Sequence, residues 1–368
     1  MYFRGFLICS LVVVLAVGGD AFRAQGNGTG GAVLTSCSTR KVESPARGTL
    51  SSDGDRVYIG SNTGTLSSYS AKDLTVLWRS ELGGEFGSDV LPTDAGAVVV
   101  TNSVPADGTG RDSVLRLIGK DSGVAAWSAK LPFSERYDLG TLGQGIAAVS
   151  KEGSVVLLDP GSSRIVRQSQ QYGPVSAGPV FAGAKVIIGT SEKRVVVISA
   201  MDGSITSQFK VDFAPTSITA TNAGALLIGD ERGNVSLLSA KDNGVVWKFK
   251  SGAAVSSIRE IEEGIIVTSL DNFVYLISDY NGDVIWKRRL SGRVVEGGPL
   301  VEGHIVVLVY GENLGYVLDL ENGKVVGTVR SEEEDFINRS PVLVNGATFA
   351  VTTSNSLQTY AVGSCIPK

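Results

Sequence analysis

The chain repeats itself. Six segments, SAKDLTVLWRSEL, GKDSGVAAWSAKL, SAMDGSITSQFKV, SAKDNGVVWKFKS, SDYNGDVIWKRRL and DLENGKVVGTVRS, share an acidic turn, a Gly or Asn, a short apolar run and then a Trp or its replacement. With the Trp position as the mark, the unit recurs at Trp78, Trp127, Arg167, Ser207, Trp247, Trp286 and Gly327, at intervals of 49, 40, 40, 40, 39 and 41 residues. A period near 40 means an array of like units, none of which buries its apolar face alone. The long first interval traces to residues 103–112 (SVPADGTGRD), a loop insertion of the kind a repeat tolerates.

Within each unit, runs such as RVYIGS, KVIIGT and GIIVTS are rich in β-branched residues and bounded by Gly, Asn, Asp or Ser. Each leads through a turn into a second run such as TLSSYS, RVVVIS or FVYLIS. A shorter first strand is marked in three units by a small residue, Pro and an apolar residue: Gly178-Pro179-Val180, Gly298-Pro299-Leu300 and Ser340-Pro341-Val342. No segment sustains a helical period. Four short antiparallel strands per unit, radially repeated, predict an all-β fold, a β-propeller of four-stranded blades.

The marks also predict the blade number. Seven are present, and an eighth would fall near residue 367, where the chain has supplied only three strands. Stepping back about 40 residues from Trp78 reaches residues 38–40, so residues 36–43 are expected to give the missing fourth strand. The spacing predicts an eight-bladed propeller closed by pairing the N-terminal strand with the C-terminal blade, which removes the free sheet edges of an open array.

Residues 1–21 carry Arg4, an apolar run from Phe6 to Val17 and then small residues, the pattern of a secretory signal peptide and too short for a spanning helix. Residues 22–36 read as a Gly-rich linker and 37–368 as a single propeller domain, with no transmembrane segment in the mature chain. Removing the leader takes Cys9 with it and leaves Cys37 and Cys365. In the eight-blade register they begin and end neighbouring strands of the last blade, so a disulfide is expected there, and an exported chain permits it. The competing reading is a lipid anchor at Cys37, because Leu34-Thr35-Ser36-Cys37 matches a lipobox. It is the weaker one: a lipobox abuts the hydrophobic run, and here Asp20, Arg23 and QGNGTGG intervene.

The unit of acidic turn, Gly and Trp resembles the repeat of the pyrroloquinoline-quinone-type β-propeller superfamily over nearly the whole mature chain, from about residue 37 to 365. Size, single domain and export signal are similar to its BamB-like, non-catalytic branch. The resemblance implies that a quinone enzyme would be longer and would hold its cofactor with an adjacent Cys pair, a stacking Trp and carboxylates around calcium. This chain has no adjacent Cys pair. We expect no cofactor, no metal site and no catalytic residue. Trp78, Trp127, Trp247 and Trp286 occupy one repeat position and are expected to dock neighbouring blades.

Other chemistry is thin. His304 is the only histidine, which removes most general-base and metal schemes. The acidic clusters at Glu260, Glu262 and Glu263 and at 332–335 fall by register on opposite faces of the ring and read as solvated charge. A net charge of −4 with interspersed Lys and Arg gives no footprint for nucleic acid.

What remains is a rigid ring with variable loops. The expected function is an exported scaffold binding protein partners in the periplasm, cell envelope or extracellular space, in the manner of an envelope or outer-membrane protein assembly factor. Its candidate interaction face carries Arg111, Phe133, Arg136, Tyr137, Tyr172 and Phe336 on connecting loops, residue types enriched at hot spots. The alternative is a small quinoprotein-type oxidoreductase or sugar-processing enzyme using the central channel. An axial pocket lined by at least two carboxylates and a Trp or Arg is the feature that alternative needs.

Overall fold

The computed structural model describes residues 34–104, 112–132, 136–143, 145–159, 161, 164–169, 171–310, 314–331, 337 and 340–365. Among these there is no helix: the chain forms eight antiparallel sheets around an axis, each a propeller blade. Blade 1 runs outward from Pro45–Ser52 through Arg56–Ser61 and Thr65–Ser70 to Val76–Glu81. Blades 2 to 7 follow in chain order and end on outer strands Ala125–Leu131, Arg164–Gln168, Ile205–Lys210, Val245–Lys250, Val284–Arg289 and Val325–Arg330.

Burial explains the sequence pattern. The second strand of each blade is covered on both faces by neighbouring blades, so Lys185–Thr190 is buried at five successive positions and reads as a continuous apolar run. Outer strands reach solvent and alternate instead, as Val284–Arg289 (VIWKRR) does. The core is therefore a ring of wedges between blades. Tyr58, Leu66 and Trp78 of blade 1 pack on Phe86, Ala97, Val99 and Ile118 of blade 2, and the next wedges repeat the scheme.

Blade 8 is closed as the repeat register predicts. Its first three strands are Val342–Asn345, Thr348–Thr352 and Ser356–Val362, and Leu34–Lys41 is the fourth, paired from Leu34↔Val362 to Lys41↔Ser356. Cys37 and Cys365 form a disulfide with a Cα separation of 5.6 Å. Cys37 is the bulged residue between Ser36 and Ser38, the place where every other outer strand also bulges, as at Leu77 between Val76 and Trp78.

The closing strand starts at Leu34, inside the stretch read as linker. The reason is packing: Leu34 is buried against Gly327, where an added Cβ would stand 2.8 Å from the Leu34 Cβ. The expected signal peptide lies outside the described residues. Ser103 and Asp112 pair at the base of the blade 2 insertion, whose residues 105–111 are also outside them.

Blade 2 departs from the pattern at its axis. Its inner strand is split into Glu85–Phe86 and Leu91–Thr93, both paired with Gly96–Ser103. Between them Ser88 Oγ accepts the Val100 N–H at 2.9 Å and the Gly87 N–H donates to the Val100 carbonyl at 2.8 Å. This detour sets Asp89 on the channel wall.

Candidate functional site: the blade joints and the axial channel

The repeated Trp is a joint between blades. Trp78 Nε1 donates to the Lys120 carbonyl at 2.7 Å, Trp247 Nε1 to Asp279 at 2.8 Å and Trp286 Nε1 to Leu320 at 2.7 Å. Each acceptor lies on the acidic turn of the following blade. The repeat Gly of that turn has positive φ and a bare Cα against which the indole lies: Gly123 under Trp78, Gly282 under Trp247, Gly323 under Trp286. The motif's two hallmarks thus meet across blades and not within one. Trp127 packs against the apolar cluster between blades 2 and 3, but among the described residues its indole N–H has no acceptor and no glycine lies under its ring.

At three of the joints where the Trp is replaced, another side chain takes over. Between blades 3 and 4, Arg167 lies on a fully exposed outer strand, and the buried Tyr172 donates its hydroxyl to the Gly203 carbonyl at 3.1 Å. Between blades 8 and 1, Arg40 Nη1 donates to the Leu74 carbonyl at 3.0 Å. Between blades 7 and 8, Leu34 covers Gly327.

These contacts correct the expected interaction face. Tyr172 is not an exposed loop residue but a joint. Tyr137 is fully buried, its ring among Leu115, Leu131, Ile146 and Val156, and its N–H donates to the Gly87 carbonyl at 2.7 Å. As the first residue of the inner strand Tyr137–Leu142, it enters the wedge between blades 2 and 3. Arg111, Phe133 and Phe336 lie outside the described residues, which leaves Arg136, half-buried beside the axis.

Arg136 belongs to an axial channel of about 990 Å³. Its wall carries Asp89, Arg136, Lys151, Arg259 and Glu296, contributed by blades 2, 3, 6 and 7. Arg136 Nη2 pairs with Asp89 Oδ1 at 3.0 Å, and Arg259 Nη1 donates to the Gly298 carbonyl at 2.9 Å. Burial holds the Arg259 guanidinium below its ordinary value, with Glu296 acting the other way. Asp138, two residues beyond Arg136, opens onto a side recess with Asp89. Its side chain is exposed to the recess, and the protein around that recess still pushes the carboxyl up, against the opposing pull of Arg136. Asp89, Lys151, Arg259 and Glu296 were not singled out in the sequence. For Arg259 and Glu296 the usable signal was a charged residue on a first strand, where the neighbouring second strand is apolar.

The channel has the axial feature the enzyme alternative needs: two carboxylates, Asp89 and Glu296, stand there with two arginines. The quinone set does not fit. The tryptophans sit at blade joints, the cysteines form the closing disulfide, and among the described residues no three His, Cys, Asp or Glu come together as a metal cluster. His304 is buried at a strand start with Nδ1 2.7 Å from the Glu302 carbonyl, a structural role. Glu260 accepts the Asn222 N–H at 2.7 Å, so this acidic cluster partly serves to tie adjacent turns.

A family model described as outer membrane protein assembly factor BamB matches residues 23–166 and 231–363. Among solved structures, BamB from Moraxella catarrhalis is 15% identical, covers 89% of this chain and 100% of its own, and superposes with a TM-score of 0.68. The computationally designed Ika8 protein is 12% identical over 89% of this chain and 99% of its own, with a TM-score of 0.73. Sqt1 from Saccharomyces cerevisiae is 11% identical over 90% and 100%, with a TM-score of 0.72. At such identities the structural likeness speaks for the fold alone. A search of curated protein sequences returned no match.

Proposed function

Because the chain belongs to the outer membrane protein assembly factor BamB family, we propose that it is an exported, non-catalytic scaffold of the cell envelope that binds protein partners through the face around its axial channel. The observation that carries this reading is the division of labour among the residues. The repeat Trp and Gly are taken up by blade docking, while Asp89, Arg136, Lys151, Arg259 and Glu296, outside the repeat motif, meet at the channel. Arg136 precedes an inner strand and Lys151 follows the second strand of the same blade, so both stand on the face of the blade-to-blade connections. A rigid ring presenting opposite charges in fixed positions favours partner selection over chemistry. Export rests on the leader pattern of residues 1–21, and the closing disulfide suits an oxidising compartment.

The test is cross-linking capture from the native envelope with the mature protein, compared with Arg136→Glu and Lys151→Glu. Native protein should retain a defined partner set, and the charge reversals should lose it while the fold is retained. Equal capture by the variants sinks the proposed face. The axial carboxylates and arginines are the one feature favouring the quinoprotein-type oxidoreductase or sugar-processing alternative. Turnover of alcohols or sugars by protein supplied with quinone and calcium would establish it in place of the scaffold.

A further inference from the structure

One blade joint is left open. Between blades 4 and 5 the Trp position is Ser207, and the turn residue facing it is Asn243, the only Asn at a repeat position where Gly is usual among the described turns. The two side chains barely touch, with Asn243 Nδ2 3.4 Å from Ser207 Oγ. Among the described residues no Tyr, Arg or Leu is redirected into this wedge as at the other replaced joints. A cleft of about 220 Å³ remains, walled by Phe209, Val211, Phe213, Leu238 and Val245. A dry cavity of about 150 Å³ already admits benzene, so the space takes an indole.

We propose that this cleft is a binding site for a tryptophan side chain carried by an acidic peptide segment of a partner protein. The chemistry of the occupant is written in the same molecule. At three other joints an indole fills the corresponding place and donates its N–H to a turn carbonyl of the next blade. The carbonyl in register here is that of Ala240, three residues before Asn243, as Lys120, Asp279 and Leu320 precede Gly123, Gly282 and Gly323. An incoming indole completes the joint that the chain leaves incomplete.

Charge selects the flanking residues. Lys210 and Lys248 line the cleft, and Lys193 and Arg232 lie over the Phe213 ring at 5.7 and 5.8 Å from its centroid. Against these stands Asp212, 3.9 Å from Lys248 and mostly exposed. Asp230 is occupied by the turn it caps, accepting the N–H groups of Arg232 and Asn234 and the Asn234 side-chain amide. The rim is therefore positive, complementary to Asp and Glu. A comparable space beside the closing disulfide, lined by Ser38 and Lys72, lacks aromatic walls and already receives Arg40 near its turn.

The probe is a fluorescein-labelled pentapeptide, Glu-Asp-Trp-Asp-Glu, followed by anisotropy on the mature disulfide-bonded protein, with its Ala-for-Trp analogue as control. The Trp peptide should bind about tenfold or more tighter than the analogue. Ser207→Trp, which fills the cleft from within, should abolish that difference and raise the thermal midpoint. Lys248→Glu, at an exposed position, should weaken binding with the fold intact, and it serves if Ser207→Trp fails to fold. Arg136→Glu should bind like the native protein, which separates this site from the channel face. Equal binding of the two peptides, or undiminished binding by Ser207→Trp, overturns the proposal.

Discussion

Gly323 and Gly203 hold the same repeat position in the same left-handed backbone, with φ of +65° and +71°, yet only one lies under an indole. An Ala Cβ at 323 would stand 2.6 Å from Trp286 Cε3, whereas at 203 it would meet nothing within 4 Å. Gly203→Ala carries the left-handed strain of about 1–2 kcal/mol, offset by about 0.4–1 kcal/mol from a stiffer unfolded chain. Its net cost is about 0–1.6 kcal/mol. Gly323→Ala adds an overpacking cost of about 1–3 kcal/mol. The ring cannot swing aside without giving up the Trp286 bond to the Leu320 carbonyl. Urea unfolding without reductant, analysed at a common slope, reads the difference directly. We expect Gly323→Ala to be the less stable by about 1–3 kcal/mol. Equal midpoints for the two variants would refute interblade docking as the reason for the repeated Gly and Trp.

Replacing Cys37 and Cys365 together by Ser should lower stability by up to about 5 kcal/mol, since the bond closes nearly the whole chain; hydrogen exchange should rise first in Leu34–Lys41, and unchanged protection there would contradict a clasp. Asp138→Asn should raise stability at neutral pH. The carboxyl's folded value lies above its ordinary 3.8, so the folded state disfavours its charge, and the cost grows as pH rises from 3.8 through the folded value. The variant's gain should vanish below pH 3.8, and a gain that persists in acid would assign it to another cause.

Period, blade number, ring closure and the cysteine pair were legible in the sequence because each follows from local pattern and counting. A unit of about 40 residues that ends in three strands demands a fourth, and only the N-terminal segment stands at the right distance. The shared repeat position of Trp78, Trp247 and Trp286 was legible for the same reason; that each indole N–H reaches a turn carbonyl of the next blade is a finding of the structure.

The tyrosines were not. Tyr172 follows Arg167 by five residues on a connection that looks like surface loop. Its burial depends on reaching the Gly203 turn of the next blade across the joint that Arg167 leaves vacant, and a single unit does not display the turn its side chain meets. Tyr137 is buried for a related reason, because the wedge it enters is built by another blade. The channel charges come from blades far apart in sequence, and Asp89 reaches the axis only through the split inner strand of blade 2. Sequence alone determined the ring, since repetition is a local property that sums around a closed circle. Tertiary structure alone decided which side chains fill the joints, which joint stays open and which charges meet at the axis, because those outcomes depend on pairs of blades.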